Sequence, residues 1–189
     1  MKSLKNILKL ALGIAFSCLM VSCEKSAGEE DYGYEKIYIP QSLLAGSNLN
    51  YLVPAGLDSA SRNYKLDKAQ NKYNIILGIS KSGKSVSSSF TVDLKARPDT
   101  VTTLIANNTI TNGVILPESV YSVPSKIEVT EGSTAATFYL SVKAAELKAN
   151  YAGKKAVVAL EIFNPSNYML NQKNNKVVVI IDVNALPQP

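Results

Sequence analysis

Residues 78–94 read GISKSGKSVSSSFTVDL, and how this stretch folds decides the architecture of the chain. Gly78, Gly83, Lys84 and Ser85 satisfy G-x-x-x-x-G-K-[ST], the pattern of a loop that wraps phosphates. That pattern works only where a buried strand feeds the loop and a helix follows, because the helix's first amides and positive dipole end hold the anion. The strand is present, since Tyr73–Ile79 is a near-continuous apolar run. The helix is not. Val86-Ser87-Ser88-Ser89-Phe90-Thr91-Val92 mixes serines with β-branched residues in period two, a poor helix and a good strand. The stretch Ser80-Lys81-Ser82-Gly83-Lys84 is therefore read as a hairpin loop with Gly83 at positive φ, and no nucleotide site is expected. Val177–Asp182, an apolar run ending in aspartate as in the magnesium sites of such enzymes, is set aside because the strand–helix alternation around it is missing.

Working outward, the same signal recurs. Lys36–Ile39 alternates with Ile37 and Ile39 on one face, and Phe90–Ala96 places Phe90, Val92 and Leu94 on one side. Lys126–Thr130 and Ala135–Lys143 alternate likewise, and Glu131-Gly132-Ser133 between them reads as a hairpin turn. Lys155–Phe163 and Lys176–Val183 are apolar on both faces, which predicts central strands. Helical signals are confined to Pro98–Ala106, with proline at a first helical position, and to Lys143–Ala149 before Gly153; neither is expected to cover a sheet. The expected fold is all-β, an immunoglobulin-like sandwich of about seven to eight strands with one or two short helical turns.

Composition narrows the chemistry. With 189 residues, 46% hydrophobic and 19% charged, the chain suits one folded domain plus a targeting segment. It has no histidine, and its only cysteines are Cys18 and Cys23. From Glu24 onward neither a thiolate–imidazole metal site nor a histidine-based triad can be assembled, so no metal, cofactor or catalytic group is expected. The net charge of +5 includes Lys2, Lys5 and Lys9, and without them it is +2 (5 minus 3), scattered rather than striped, which argues against nucleic acid.

Residues 1–22 have the build of a secretory signal: three lysines, then an apolar run from Leu10 to Val21, too short to span a bilayer. Met20-Val21-Ser22-Cys23 resembles a bacterial lipobox, which implies cleavage before Cys23 and diacylglycerol on its thiol. Acyl chains anchor a protein at ~0.8 kcal/mol per buried methylene, so the lipid bilayer is an expected partner. Residues 23–34, with Glu29, Glu30 and Asp31, read as an acidic flexible tether. That acidic cluster resembles the export signal of Bacteroides-type outer-membrane lipoproteins, which implies an outer-membrane anchor facing the cell exterior, a periplasm-facing anchor being the other reading. One domain is expected over 35–184, with 185–189 as a tail.

Four stretches resemble a domain of unknown function found in such lipoproteins: Ile37–Gln41, Ile76–Ser80 with Ser82-Gly83, Leu116–Ser122, and Ile127–Ser133. In its relatives this domain often precedes a chitinase-like barrel or a lectin-like module among proteins of glycan capture. The likeness runs from about Tyr34 to Val183 and carries over no catalytic residue. The chain ends about where such a domain ends, so no companion module is expected in it. Pro117 is expected to set the turn that presents Tyr121, with the ring buried and its hydroxyl bonded to backbone.

Function then rests on surface chemistry. Tyr32, Tyr34 and Tyr38 share one parity, opposite Ile37 and Ile39, and are the candidate residues for stacking on sugar rings. Glu118, Glu128 and Glu131 read as surface carboxylates rather than a glycosidase pair, so catalysis is not expected. Two readings stay open: an accessory of glycan capture that binds glycan or supports outer-membrane capture proteins, and a structural or adhesive spacer whose strand Lys176–Val183 adds to a partner's sheet edge.

Overall fold

The computed structural model describes residues 34–44, 50–56, 58, 61–83 and 88–189; Cys23, Tyr32, Lys84 and Ser85 lie outside them. One sheet, here sheet A, contains β1 (Lys36–Tyr38), β3 (Tyr64–Asp67), β4 (Lys72–Lys81), β7 (Tyr121–Ser122), β9 (Ala135–Lys143) and β11 (Met169–Leu170). Sheet B contains β2 (Asn50–Val53), β5 (Phe90–Ala96), β6 (Gly113–Ile115), β8 (Lys126–Val129), β10 (Lys155–Phe163) and β12 (Lys176–Asp182). Three helices join them: α1 (Gln41–Leu44), α2 (Pro98–Ala106) and α3 (Ala144–Tyr151). The described residues thus form twelve strands where about seven to eight are expected; β6, β7 and β11, of three residues or fewer, are too short to show periodicity in sequence.

The sandwich is immunoglobulin-like in detail. The order β1-β4-β9-β7 in sheet A and β12-β10-β5 in sheet B, each neighbour antiparallel, reproduces the ABED and GFC sheets of that fold. β2 adds to β12 in parallel. Alternation explains the core: Tyr73, Ile75, Leu77 and Ile79 of β4 face Leu160, Ile162, Val177 and Val179 across the sheets, all fully buried.

Two expected hairpins are corrected. The β4 strand does not stop at Ile79. It runs to Lys81, with Gly78 paired to Thr137 and its N–H donated to Gln41 Oε1 at 3.1 Å. Residues 78–81 are thus extended backbone rather than a phosphate-cradling loop. The strand that follows, β5, lies in the opposite sheet, so the connection is a corner between layers, with Gly83 at φ +93. Glu131-Gly132-Ser133 likewise joins β8 of sheet B to β9 of sheet A, with Gly132 at φ +79 and Ser133 N–H on the Thr130 carbonyl. Positive-φ glycine suits both a hairpin and a corner, so local turn chemistry does not separate them.

A third correction concerns the helices. α2 does cover a sheet. Its Val101 and neighbouring Ile110 close a second core over Val157, Ala159, Val178 and Ile180 on the outer face of sheet B. This is why β10 and β12 are apolar on both faces. Pro98 begins α2, and Asn108 at φ +55 ends it by receiving the chain in a left-handed turn. β12 is flanked by β10 and β2, so it offers no free edge to a partner. Near the C-terminus Leu186 is buried, the Tyr73 hydroxyl donates to the Pro187 carbonyl, and Lys148 Nζ donates to the Val183 and Leu186 carbonyls.

Candidate functional site

β1 is only three residues long, yet its geometry is fixed from several sides. Ile37 and Tyr38 pair with Lys81 and Ser80 of β4, while Lys36 and Ile37 pair in parallel with Met169 and Leu170 of β11. Ser82 pins the approach: its Oγ receives the Lys36 N–H at 3.0 Å and donates to the Tyr34 carbonyl at 2.9 Å. Beneath lies a buried lysine. The Lys81 side chain is 0% exposed, its Nζ sits 2.7 Å from Glu35 Oε1 and 4.8 Å from the Tyr168 ring centroid. Tyr168 is held in turn by an edge-on contact with Phe90 and by accepting the Ser88 N–H at 2.8 Å.

Ile37 and Ile39 point into the core, as their parity predicts, and Tyr34, Lys36 and Tyr38 point out. Tyr34 is 81% exposed, with Lys36 Nζ 5.2 Å from its ring centroid, and Tyr38 is half-buried. Two of the three expected tyrosines therefore share an outward face; Tyr32 lies outside the described residues. Beside them Lys36, Pro165, Met169, Leu170, Asn171 and Lys173 line an open groove of ≈ 650 Å³. Met169, 64% exposed, was not marked by the sequence, because a two-residue strand inside an Asn-rich stretch leaves no periodicity to read.

A second cleft of ≈ 410 Å³ lies where β5 meets β7, lined by Leu94, Lys95, Glu118, Tyr121, Val123 and Ser125. Tyr121 is half-buried against the core as expected, and burial first, then the Glu118 charge, raise its phenol above the ordinary value. Its hydroxyl reaches no backbone carbonyl among the described residues; Tyr73 and Tyr51 make that kind of bond instead, to Pro187 and Ile76. Glu118, Glu128 and Glu131 are all exposed. Asp182, the strand-end aspartate, caps a turn by accepting the Asn184 and Ala185 N–H groups.

The densest charge cluster is on the outer face of sheet B. Glu161 takes the Arg97 guanidinium, with Lys95 at 3.5 Å and Lys176 at 3.6 Å. Burial pushes the Glu161 carboxyl up, but Arg97, Lys176 and Lys95 outweigh it and hold it below the ordinary value. Arg97 also binds Asp99 through Nη2 at 2.6 Å and holds that carboxyl at about 2. Mutual neutralisation makes this a structural ion network. Among the described residues no group of three or more His, Cys, Asp or Glu side chains is placed to hold a metal.

Residues 28–169 match the model of a family described as a "-like, N-terminal domain". Solved structures share the fold at low identity. A candidate carbohydrate-binding protein from Bacteroides ovatus superposes with TM-score 0.54 at 16% identity, over 77% of this chain and 36% of that one. A second protein of unknown function from Bacteroides ovatus gives TM-score 0.51 at 17%, over 79% and 46%. EndoBT-3987 from Bacteroides thetaiotaomicron, with a Man5GlcNAc product, gives 0.51 at 12%, over 77% and 30%. The chain thus spans less than half the length of each of these structures. No curated protein matches.

Proposed function

The chain belongs to this N-terminal-domain family, and from that premise we propose that it is a non-catalytic accessory of glycan capture at the cell surface. In this reading acylated Cys23 anchors it in the outer membrane facing outward, residues 23–34 space it from the lipid, and the sandwich presents a glycan-binding surface. The observation that carries the reading is Tyr34, an almost fully exposed ring on a backbone clamped by Ser82 and by the ion pair of neighbouring Glu35 with buried Lys81. A ring held this way stacks on the apolar face of a sugar with little ordering cost. Lys36, Tyr38 and the groove at Met169 supply neighbouring contacts, and Tyr32 would extend the stripe. Carbohydrate-related descriptions of structures with this fold are consistent with it.

Affinity electrophoresis against a panel of polysaccharides tests the reading. Retardation is expected, with Tyr34→Ala weakening binding about tenfold, the factor for ~1.4 kcal/mol of stacking. No retardation by any glycan contradicts it. Metabolic labelling with a radioactive fatty acid should mark the wild type and not Cys23→Ala.

The alternative, a spacer that docks other outer-membrane proteins, draws on a different surface: Leu52 on edge strand β2 and Ile115 on β6, 59% and 36% exposed, on either side of the helix-covered core. A complex with outer-membrane proteins that forms without glycan and is lost in Leu52→Glu would favour it.

A further inference from the structure

The outward positions of sheet A can be read row by row from the strand register. Tyr38 stands beside Ser80 and Ala135, Gly78 beside Thr137, Ile76 beside Tyr139, and Lys65 beside Asn74 and Ser141. Tyr139 is 38% exposed, and Lys65 Nζ lies 6.0 Å from its ring centroid. The face therefore carries two copies of one arrangement, a tyrosine ring with a lysine ammonium over it: Tyr34 with Lys36, and Tyr139 with Lys65. Tyr38 lies between them. Tyr34 precedes Tyr38 by four residues, and in strand register Tyr38 and Tyr139 are four positions apart, about 13 Å along the strands. The floor between Tyr38 and Tyr139 is made of Gly78, Ser80, Ala135 and Thr137. A side chain at Gly78 would begin 3.2 Å from the Ala136 carbonyl, so the sequence keeps this floor low where it is tightest.

Charge tells the two sheets apart. On sheet B, Lys95, Arg97 and Lys176 share Glu161, and Lys126 reaches Asp93 at 3.6 Å. On sheet A, Lys81 has Glu35 at 2.7 Å, on the buried side of the strand, and Lys143 has Glu146 at 2.9 Å. Lys36 and Lys65 have no carboxylate at ion-pair distance among the described residues, and rings are what they lean on. Asp67 is the one acidic residue at an outward strand position of this sheet among the described residues, at its far end beside Lys72.

We infer that the outer face of sheet A is a platform for an extended acidic glycan, one whose sugars carry carboxylate or sulfate groups. The inference rests on the glycan-binding reading and specifies it: each tyrosine offers a sugar a stacking surface, and each adjoining lysine offers its anion a counter-charge. Neutral chains would gain the stacking alone. The span from Tyr34 to Tyr139 favours polymers over di- and trisaccharides.

The test uses the full-length chain in detergent with three probes: polygalacturonate for carboxylate, chondroitin sulfate for sulfate plus carboxylate, and neutral mannan. At low salt at least one acidic polymer is expected to bind about tenfold or more tighter than mannan, and the preference to shrink as salt rises. Lys36→Glu and Lys65→Glu should each weaken acidic-polymer binding about tenfold, since reversal replaces attraction by repulsion at close range. Tyr139→Ala should weaken it as well, Tyr139→Phe should not, and Lys126→Glu on sheet B should leave it unchanged. Unaltered thermal melting would show that each variant is folded. Equal binding of mannan, indifference to salt, or no effect of Lys65→Glu overturns the inference while leaving glycan binding in place. Binding to none of the glycans, the wider panel above included, overturns both.

Discussion

The two outer faces of the sandwich meet solvent differently. Sheet B spends its outer face on the fold: α2 seals one end over Val157, Ala159, Val178 and Ile180, and Glu161 gathers three cations at the other. Among the described residues sheet A has no such cover on its outer face, which carries tyrosines, lysines and small residues in place of a second core. A β-sandwich needs only its inner faces for stability, so an outer face is free to serve folding or to serve recognition. On the proposed reading, recognition falls to sheet A.

Substitutions can break or sharpen that contrast. The largest effect is expected from Val157→Asp, which buries an unpaired carboxylate under α2 and should cost about 4 kcal/mol in urea unfolding. The matching change on sheet A, Thr137→Asp, should stay within about 0.5 kcal/mol, because its position is exposed. Comparable losses at both sites would mean that the two faces do not differ. Next in size is Val101→Ala, which removes the α2 contact to the outer core and should cost about 2 kcal/mol. Glycan retention should be unaffected by it.

The smallest effect is a pH dependence at the Glu161 cluster of sheet B. Glu161 and Asp99 both titrate below their ordinary values when folded, Asp99 at about 2. A depressed carboxylate contributes stability that is complete above its unfolded pKa and lost as pH falls through its folded one. The stability difference between wild type and Glu161→Gln should therefore be constant near neutrality and shrink in acid. A difference that grows on acidification would contradict the assignment of Glu161 as the charge partner of Arg97, Lys176 and Lys95.

Much of the architecture was legible in the sequence because alternation reports burial directly. Ile37 and Ile39 against Tyr34 and Tyr38, or Phe90, Val92 and Leu94 against Thr91, Asp93 and Lys95, give the faces of their strands before any coordinates. The two-faced apolar runs of β10 and β12 likewise announced central strands. What they did not announce was the cover. Nine residues from Pro98 look too short to cap a sheet until the register stacks Val157 and Ala159 beside Val178 and Ile180, a patch one short helix can close. The corners at Gly83 and Gly132 were mistaken for hairpins because a positive φ says that the chain turns and not into which sheet. The proposed binding face was half visible. Parity gives the tyrosines of β1, but Tyr139 with Lys65 spans three strands, β3, β4 and β9, and only pairing brings them together. The role of Lys81 was hidden for another reason: a lysine within a serine- and glycine-rich stretch reads as solvated, and its burial depends on Glu35 and Tyr168, which are distant in sequence.

Amide chemical-shift mapping of the labelled chain, titrated with the polysaccharide that binds best, addresses the division between the faces most directly. Shifts confined to Tyr34–Tyr38, Lys65, Thr137–Tyr139 and the groove at Met169, with α2 and the strands around Glu161 silent, are the predicted result. Shifts centred on α2 or the Glu161 cluster would place recognition on the wrong sheet and contradict the account.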